Sequence, residues 1–224
     1  MGAIITIATS KGGGGKTATA ITLASNLAAH GLRVVVIDAD KNATFSSWHR
    51  EAYEGPSFPC IVEIRHVEVV DLAQAQAENT DVVLIDTAGF ENLTAACAIG
   101  CSDHVLIPCM PDRGSVAEAI KTARQTAGMA RGARRPIPAS VILTRWNARG
   151  VSERAALIEL HAAGLSVLAA HLPDLAVFGQ TSWSGAAPTK GRLGLHADRI
   201  IEHLAAAGAI YATLSSVPTV DTAT

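Results

Sequence analysis

Aromatic side chains are scarce in this chain: Phe, Trp and Tyr make up 4% of its 224 residues, although 49% of the residues are hydrophobic. A core poor in rings has to be built from alanine and branched aliphatics, which suits small residues on helices packed against β-branched strands. No apolar run reaches the roughly 18 residues that a membrane span requires. The chain enters an apolar strand at once, without a basic leader segment, so no signal peptide is expected and the cytoplasm is the expected compartment. Four cysteines, Cys60, Cys97, Cys101 and Cys109, are few. Cys97-x₃-Cys101 invites a metal reading, but no Cys/His spacing resembles a zinc site, so all four are read as small buried hydrophobes in a reducing compartment. Internal repeats and low-complexity blocks are also lacking. The polar tail 215–224 has no basic amphipathic pattern, so it is expected to be flexible and no stable membrane association is expected.

Charge is small in sum and uneven in place. The formal net charge is −2, yet twelve of the eighteen Lys and Arg residues fall within 111–200, against six of the twenty Asp and Glu. That later half is basic enough to meet a polyanion while the whole chain stays slightly acidic.

The richest stretch is Lys11-Gly12-Gly13-Gly14-Gly15-Lys16-Thr17, directly after the apolar run Ile4-Ile5-Thr6-Ile7-Ala8. A strand feeding a glycine loop and then a helix lets backbone N–H groups converge on phosphates. Lys16 supplies a point charge between the β- and γ-phosphates, and Thr17 a hydroxyl for Mg²⁺. Strict G-x-x-x-x-G-K-[ST] fails at Ser10, where glycine is required. The run instead reads K-G-G-x-G-K-T, and its first lysine, Lys11, is not needed to hold the nucleotide of its own subunit and is placed to reach a neighbour's.

Strand-like runs then alternate with helix-like ones. Strands are expected at Ile4–Thr9, Arg33–Asp38, Cys60–Arg65, Val82–Asp86, His104–Pro108, Ala139–Leu143 and Val167–Ala170. Helices are expected at Lys16–His30, Phe45–Tyr53, Val67–Asn79, Gly114–Met129, Ser152–Ala163 and Leu195–Leu214. This rhythm predicts an α/β P-loop domain over 1–214, with a mostly parallel twisted sheet of about seven or eight strands flanked by helices on both faces. Gly179–Gly194, rich in turn residues, reads as a long surface loop. Ligands in such sheets lie beyond the carboxyl ends of the strands, so Asp38, Asp40 and Asp86 are delivered to the edge that holds the glycine loop, as a Mg²⁺ site requires.

With the loop, Val36-Ile37-Asp38-Ala39-Asp40 and Leu84-Ile85-Asp86-Thr87-Ala88-Gly89 in this order, the chain resembles the ParA/MinD family of deviant Walker A ATPases from Ile4 to about Gly194. Within the family it is most similar to the short ParA proteins of plasmid partition and the VirC-type proteins of DNA transfer. The resemblance implies that ATP is held by Gly12, Gly13, Gly14, Gly15, Lys16, Thr17 and Ala18. It also implies base contacts from Arg145, in Ile142-Leu143-Thr144-Arg145, and from Pro111, in Ile107-Pro108-Cys109-Met110-Pro111. Mg²⁺ would be bound by Thr17, Asp38 and Asp86. Lys11, Lys16 and Asp40 would carry catalysis, with Lys11 touching the nucleotide of a second subunit and Asp40 orienting the attacking water. By the same resemblance the protein is a slow ATPase that dimerises on ATP, binds nonspecific DNA over the nucleoid and is stimulated by a ParB-like or other adaptor. The DNA contacts are assigned to Lys190, Arg192 and Arg199, with Arg149 and Arg154 behind them; Arg131, Arg134 and Arg135 are read as a solvated turn. Lys41 and Asn42 stand where the family often has Pro and Gln, and Gly14 where a small side chain is common. A positioner of protein or membrane-surface cargo, or a VirC-type DNA-transfer factor, is the second reading. A metabolic enzyme on the same loop is disfavoured by Lys11 and by the cysteine pattern.

Overall fold

The computed structural model of the protein describes residues 1–89, 92–173, 181 and 183–211. From the N-terminus the elements are β1 (Ala3–Ile7), α1 (Lys16–Ala29), β2 (Val34–Ala39), α2 (Thr44–Glu51), β3 (Cys60–Val62), α3 (Glu68–Ala77) and β4 (Val82–Thr87). They continue as α4 (Leu93–Cys101), β5 (His104–Cys109), α5 (Arg113–Ala133), β6 (Ala139–Trp146), α6 (Val151–Ala162), β7 (Val167–Pro173) and α7 (Gly191–Ala206). The seven strands form one sheet in the order β3-β2-β4-β1-β5-β6-β7, and every pairing is parallel. β1, β2, β4 and β5 are buried along their whole length because helices cover both faces.

One face carries α1, α2 and α7 over a core that includes Ile5, Leu23, Phe45, Leu84 and Ile200. The other carries α3 and α4 around Ile37, Val69 and Ile85, and α5 and α6 around Ile107, Val116 and Leu160. The few rings are concentrated: Phe45, Trp48, Tyr53 and Phe58 pack with His49 around α2, with centroids 4.7–6.3 Å apart. The helix that follows the β2 aspartates is thereby anchored by four of the chain's nine Phe, Trp and Tyr residues.

Several expected boundaries move. α4 was not expected: Leu93-Thr94-Ala95-Ala96-Cys97-Ala98-Ile99 has no polar stripe to mark a period, and its start is set by Asn92, whose side chain accepts from Thr94 N. Cys97 and Cys101 lie on this helix, partly buried against the α3 core. β3 stops at Val62 rather than Arg65, since the Glu63 carboxylate turns back to accept from Arg65 N and pairs with its guanidinium. Of the expected surface loop 179–194, residues 179, 180 and 182 lie outside the described residues, 191–194 belong to the last helix, and described residues between are tied to α2 and the turn after it. Trp48 Nε1 donates to Thr181 O, Glu54 N to Gly185 O and Ala187 N to Glu54 O. Gly185 is required there, because a Cβ would lie 1.5 Å from Ala52 O and φ is +67°. The last helix starts at Gly191, not Leu195, and gives way at Ala207 and Gly208; residues 212–224, with the expected helix end at Leu214 and the tail, lie outside the described residues. Arg131 is not in a turn: it belongs to the last turn of α5, with Arg134 as the left-handed C-cap.

Candidate nucleotide-binding site

β1 ends in the sheet's interior and releases the glycine loop at the carboxyl edge. Gly13 (φ +73°) and Gly15 (φ +93°) take left-handed conformations that glycine adopts without strain. A Cβ on Gly15 would also lie 3.3 Å from Thr144, whose hydroxyl donates to Gly14 O. Gly14 sits against its own strand, where a Cβ would be 3.1 Å from Thr9 Cγ2. α1 begins at Lys16 with Gly15 as N-cap and no side-chain cap, so its first-turn N–H groups and positive dipole end face the loop. Lys16 is 9% exposed and its ammonium donates to Thr9 O (3.4 Å) and Lys11 O (3.3 Å). Burial holds its pKa below the ordinary lysine value, while the charges of Asp86 and Asp40 pull the other way.

Asp38 and Asp86 are directly paired in register on adjacent strands, and both are buried. Asp38 is tied to backbone: Oδ2 accepts from Ser46 N (2.8 Å) and Oδ1 from Asp40 N (3.2 Å). Burial pushes its pKa up and these bonds oppose the shift. Burial pushes the Asp86 carboxyl further, to about 7, against the Thr17 hydroxyl and the Lys16 charge. Its Oδ1 has no hydrogen-bond partner. A buried carboxylate with an orphaned oxygen, beside Thr17 and a second buried carboxylate, fits a divalent cation. Among the described residues no group of three or more His, Cys, Asp or Glu forms a metal cage, so such a cation would depend on phosphate oxygens for the rest of its shell.

Asp40 differs from the other two acids. Its Oδ1 accepts from Asn42 N (2.9 Å) and its carbonyl from Ala43 N (2.8 Å), closing a tight turn at Lys41-Asn42. That turn places Ala43, the N-cap of α2, at φ +49°. A non-glycine residue in this region carries about 1 kcal/mol or more of strain. We expect Ala43→Gly to stabilise the nucleotide-free protein by about 0.5–1 kcal/mol after glycine's entropy cost, read as a higher urea midpoint; an unchanged or lower midpoint contradicts the strain.

Lys11 is held within its own chain. Its ammonium bonds Asp112 Oδ1 (2.7 Å) and Ser115 Oγ (3.0 Å) at the start of α5, and Ser10 Oγ donates to Glu118 on the same helix. The Lys11 contact, with Ser115, holds the Asp112 carboxyl down at about 2. Asp112, Ser115 and Glu118 were not read from the sequence, although D-x-x-S at a helix start is a capping signal. Thr17 and Ala18 line a largely apolar cavity of about 320 Å³ with Trp48 and Thr181. Pro111 lies instead in a separate groove between α5 and α6. Arg145 is exposed at the carboxyl end of β6, at φ +51°, where the β6–β7 register breaks.

The later basic residues partly converge. Arg149 and Arg192 line a pocket of about 490 Å³ with His171 and His196, whose rings are 4.8 Å apart. Burial and the Arg199 charge lower both histidine pKa values, with Arg192 adding to the effect on His196. Lys190 is the N-cap of α7, while Arg154 projects from α6 outside that lining. Asp198, the acid on this stretch of α7, is turned away to pair with His30 at 2.7 Å. The two histidines were missed because isolated His in an apolar strand and on an amphipathic helix carry no spacing signal.

A parallel sheet with β1 at its centre, a double-lysine glycine loop capping α1, and buried aspartates closing two neighbouring strands define a P-loop nucleotide-binding domain of the ParA/MinD type. The chain belongs to the VirC1 family: the profile described as VirC1 protein matches residues 2–182. The protein virC1 of Rhizobium rhizogenes is 29% identical over 147 residues, 63% of this chain and 64% of the relative. The protein ParA of Rhizobium radiobacter is 29% identical over 108 residues, 48% of this chain and 49% of the relative. The match thus spans from about half to under two thirds of these relatives' length. The ATP complex of a McdA variant from Cyanothece shares the fold, with a TM-score of 0.78 at 16% identity over 92% of this chain and 96% of that one.

Proposed function

We propose that this chain is an ATPase that dimerises on ATP, binds nonspecific duplex DNA in that state, and segregates or positions plasmid or chromosomal DNA, with slow hydrolysis stimulated by an adaptor protein. The observation that carries the reading is the pair of lysines on one loop: Lys16 buried beside Asp86, and Lys11 directed outward to α5. Gly12–Ala18 would cradle the phosphates through backbone N–H groups, with Lys16 neutralising charge between β and γ. Thr17, Asp38 and Asp86 would hold Mg²⁺, which when bound supplies further neutralisation of the phosphates. Asp40, on its closed turn, would orient the attacking water. Lys11 would leave Asp112 to meet the nucleotide of a second subunit, so assembly has to compete with an intrachain ion pair.

Lys190, Arg192 and Arg199, with Arg149 near them, would form the DNA face, and localisation would follow the nucleoid. Among the described residues no helix is long and apolar enough to cross a membrane. The VirC1 family match favours a second reading of the cargo, a DNA-transfer complex rather than a partitioning plasmid; the McdA likeness leaves protein cargo as the alternative.

The test is retention on duplex DNA with no nucleotide, ADP, or ATP and Mg²⁺. We expect retention with ATP alone, lost in Lys11→Ala and reduced about tenfold or more in Lys190→Ala/Arg192→Ala, because removing two phosphate contacts flattens the salt dependence by about two counterions. Equal retention in all nucleotide states, or none in any, overturns the reading.

A further inference from the structure

α5 is the longest helix among the described residues, and its charge is one-sided. After Glu118 no acidic residue occurs until Glu153, while Lys121, Arg124 and Arg131 fall on α5, Arg134 is its cap and Arg135 follows the cap. Lys121 is 3.8 Å from Glu118 and Arg135 donates to Gly100 O at 2.6 Å. Arg124, Arg131 and Arg134 are exposed, and among the described residues no carboxylate pairs with them. Complementing the helix dipole accounts for cations in the last turn. It does not account for Arg124, which lies mid-helix.

Beside Arg124 the helical layer has a gap. Ala123 and Ala127 on α5 face Ala163 and Gly164 at the end of α6, and these small residues leave a groove of about 370 Å³ that reaches Ile107 and Val141 of the sheet. The groove has an apolar floor with an arginine on its wall. It lies toward the edge of the sheet where β6 begins, opposite the glycine loop, so an occupant would not compete with nucleotide. Arg124 and Arg131 are two helical turns apart, about 10 Å along the axis. The complementary surface is therefore a helix with carboxylates two turns apart and apolar side chains between them. A nucleic-acid backbone matches the arginines but has nothing to place in an apolar slot.

We propose that this groove docks an acidic amphipathic helix of a partner protein, with its apolar side chains between α5 and α6 and its carboxylates on Arg124, Arg131 and Arg134. This does not rest on the nucleotide reading.

The probe is a fluorescein-labelled peptide of about 18 residues, long enough to hold a helix, built from Leu, Ala and Glu with the glutamates at i and i+7 spacing. A Glu-to-Gln version and a short duplex DNA serve as comparators, and anisotropy is measured on the nucleotide-free full chain. Expected is saturable, salt-sensitive binding of the acidic peptide, weakened about tenfold or more both in Arg124→Gln/Arg131→Gln/Arg134→Gln and in Ala127→Trp, which fills the slot. The arginine variants change only exposed side chains, so matching circular dichroism and melting curves establish that the fold is kept, and they decide the question even where Ala127→Trp perturbs packing. No binding of the acidic peptide, equal binding of the Gln peptide, or unchanged affinity in the arginine variant overturns the proposal. Duplex DNA bound in its place and lost in the arginine variant overturns it in favour of a nucleic-acid face.

Discussion

Lys16→Ala is expected to lower ATP turnover by about a hundredfold or more, the usual cost of removing a preorganised charge from a phosphoryl-transfer site, and to weaken binding of a fluorescent ATP analogue to the isolated subunit. The expectation follows from where the ammonium is stored. It lies folded against Thr9 O and Lys11 O, 9% exposed, with Asp86 and Asp40 supplying the opposite charges nearby. Burial there already disfavours the charged lysine, so a polyphosphate that enters the loop gains an ammonium that is poorly solvated and preorganised. Lys11→Ala should behave differently. Its partners are Asp112 and Ser115, outside the phosphate cradle, so single-subunit nucleotide binding should persist while turnover falls at the protein concentrations where assembly limits the rate. Phosphate release measured across a range of protein concentrations separates the two. Equal loss of analogue binding in both variants contradicts the division of labour; unchanged turnover in Lys16→Ala overturns the assignment of the loop.

The sheet and the loop were legible because both rest on local signals. Val34-Val35-Val36-Ile37 and Val82-Val83-Leu84-Ile85 can only be strands covered on both faces, and four glycines between β1 and α1 mark a loop at the carboxyl edge of the sheet. The two aspartates were legible for the same reason, since a strand end fixes which edge a side chain meets. What could not be read depended on contacts distant in sequence. The Lys11–Asp112 pair joins residues a hundred positions apart, and the His171–His196 pair joins an edge strand to a helix. α4 was hidden by composition: a helix apolar on all sides leaves no period. The turn at Asp40 shows the limit of transferred motifs. Lys41 and Asn42 stand where the family often has Pro and Gln, and the positive φ of Ala43 just after them belongs to backbone geometry that a residue pattern does not specify.

Asp86→Asn should make the nucleotide-free protein more stable and the site less useful. Folded Asp86 keeps its proton up to about pH 7 because burial disfavours the carboxylate, whereas an unfolded aspartate releases it near pH 4. Between those values the folded state binds more protons, so this residue makes stability fall as pH rises, and the full cost is present above pH 7. The gain in Asp86→Asn should therefore be near zero at about pH 4 and grow to on the order of 3 kcal/mol at pH 8, measured by urea unfolding across that range. His104 acts with the opposite sign. It is buried beside Ser140 with Nδ1 unpartnered, and burial holds its pKa down at about 4. The unfolded chain then binds more protons between about pH 4 and 6.5, so His104 makes stability rise with pH across that window. The two slopes oppose each other in wild type, and Asp86→Asn should expose the His104 slope as a steeper loss of stability on acidification. A gain independent of pH would mean that Asp86 is not held protonated by burial. The same variant should lose the Mg²⁺-dependent part of nucleotide binding, because the amide lacks the charge that the orphaned Oδ1 offers a cation. Stability gained in the apo state and affinity lost in the loaded one is the signature of a carboxylate kept buried for its ligand.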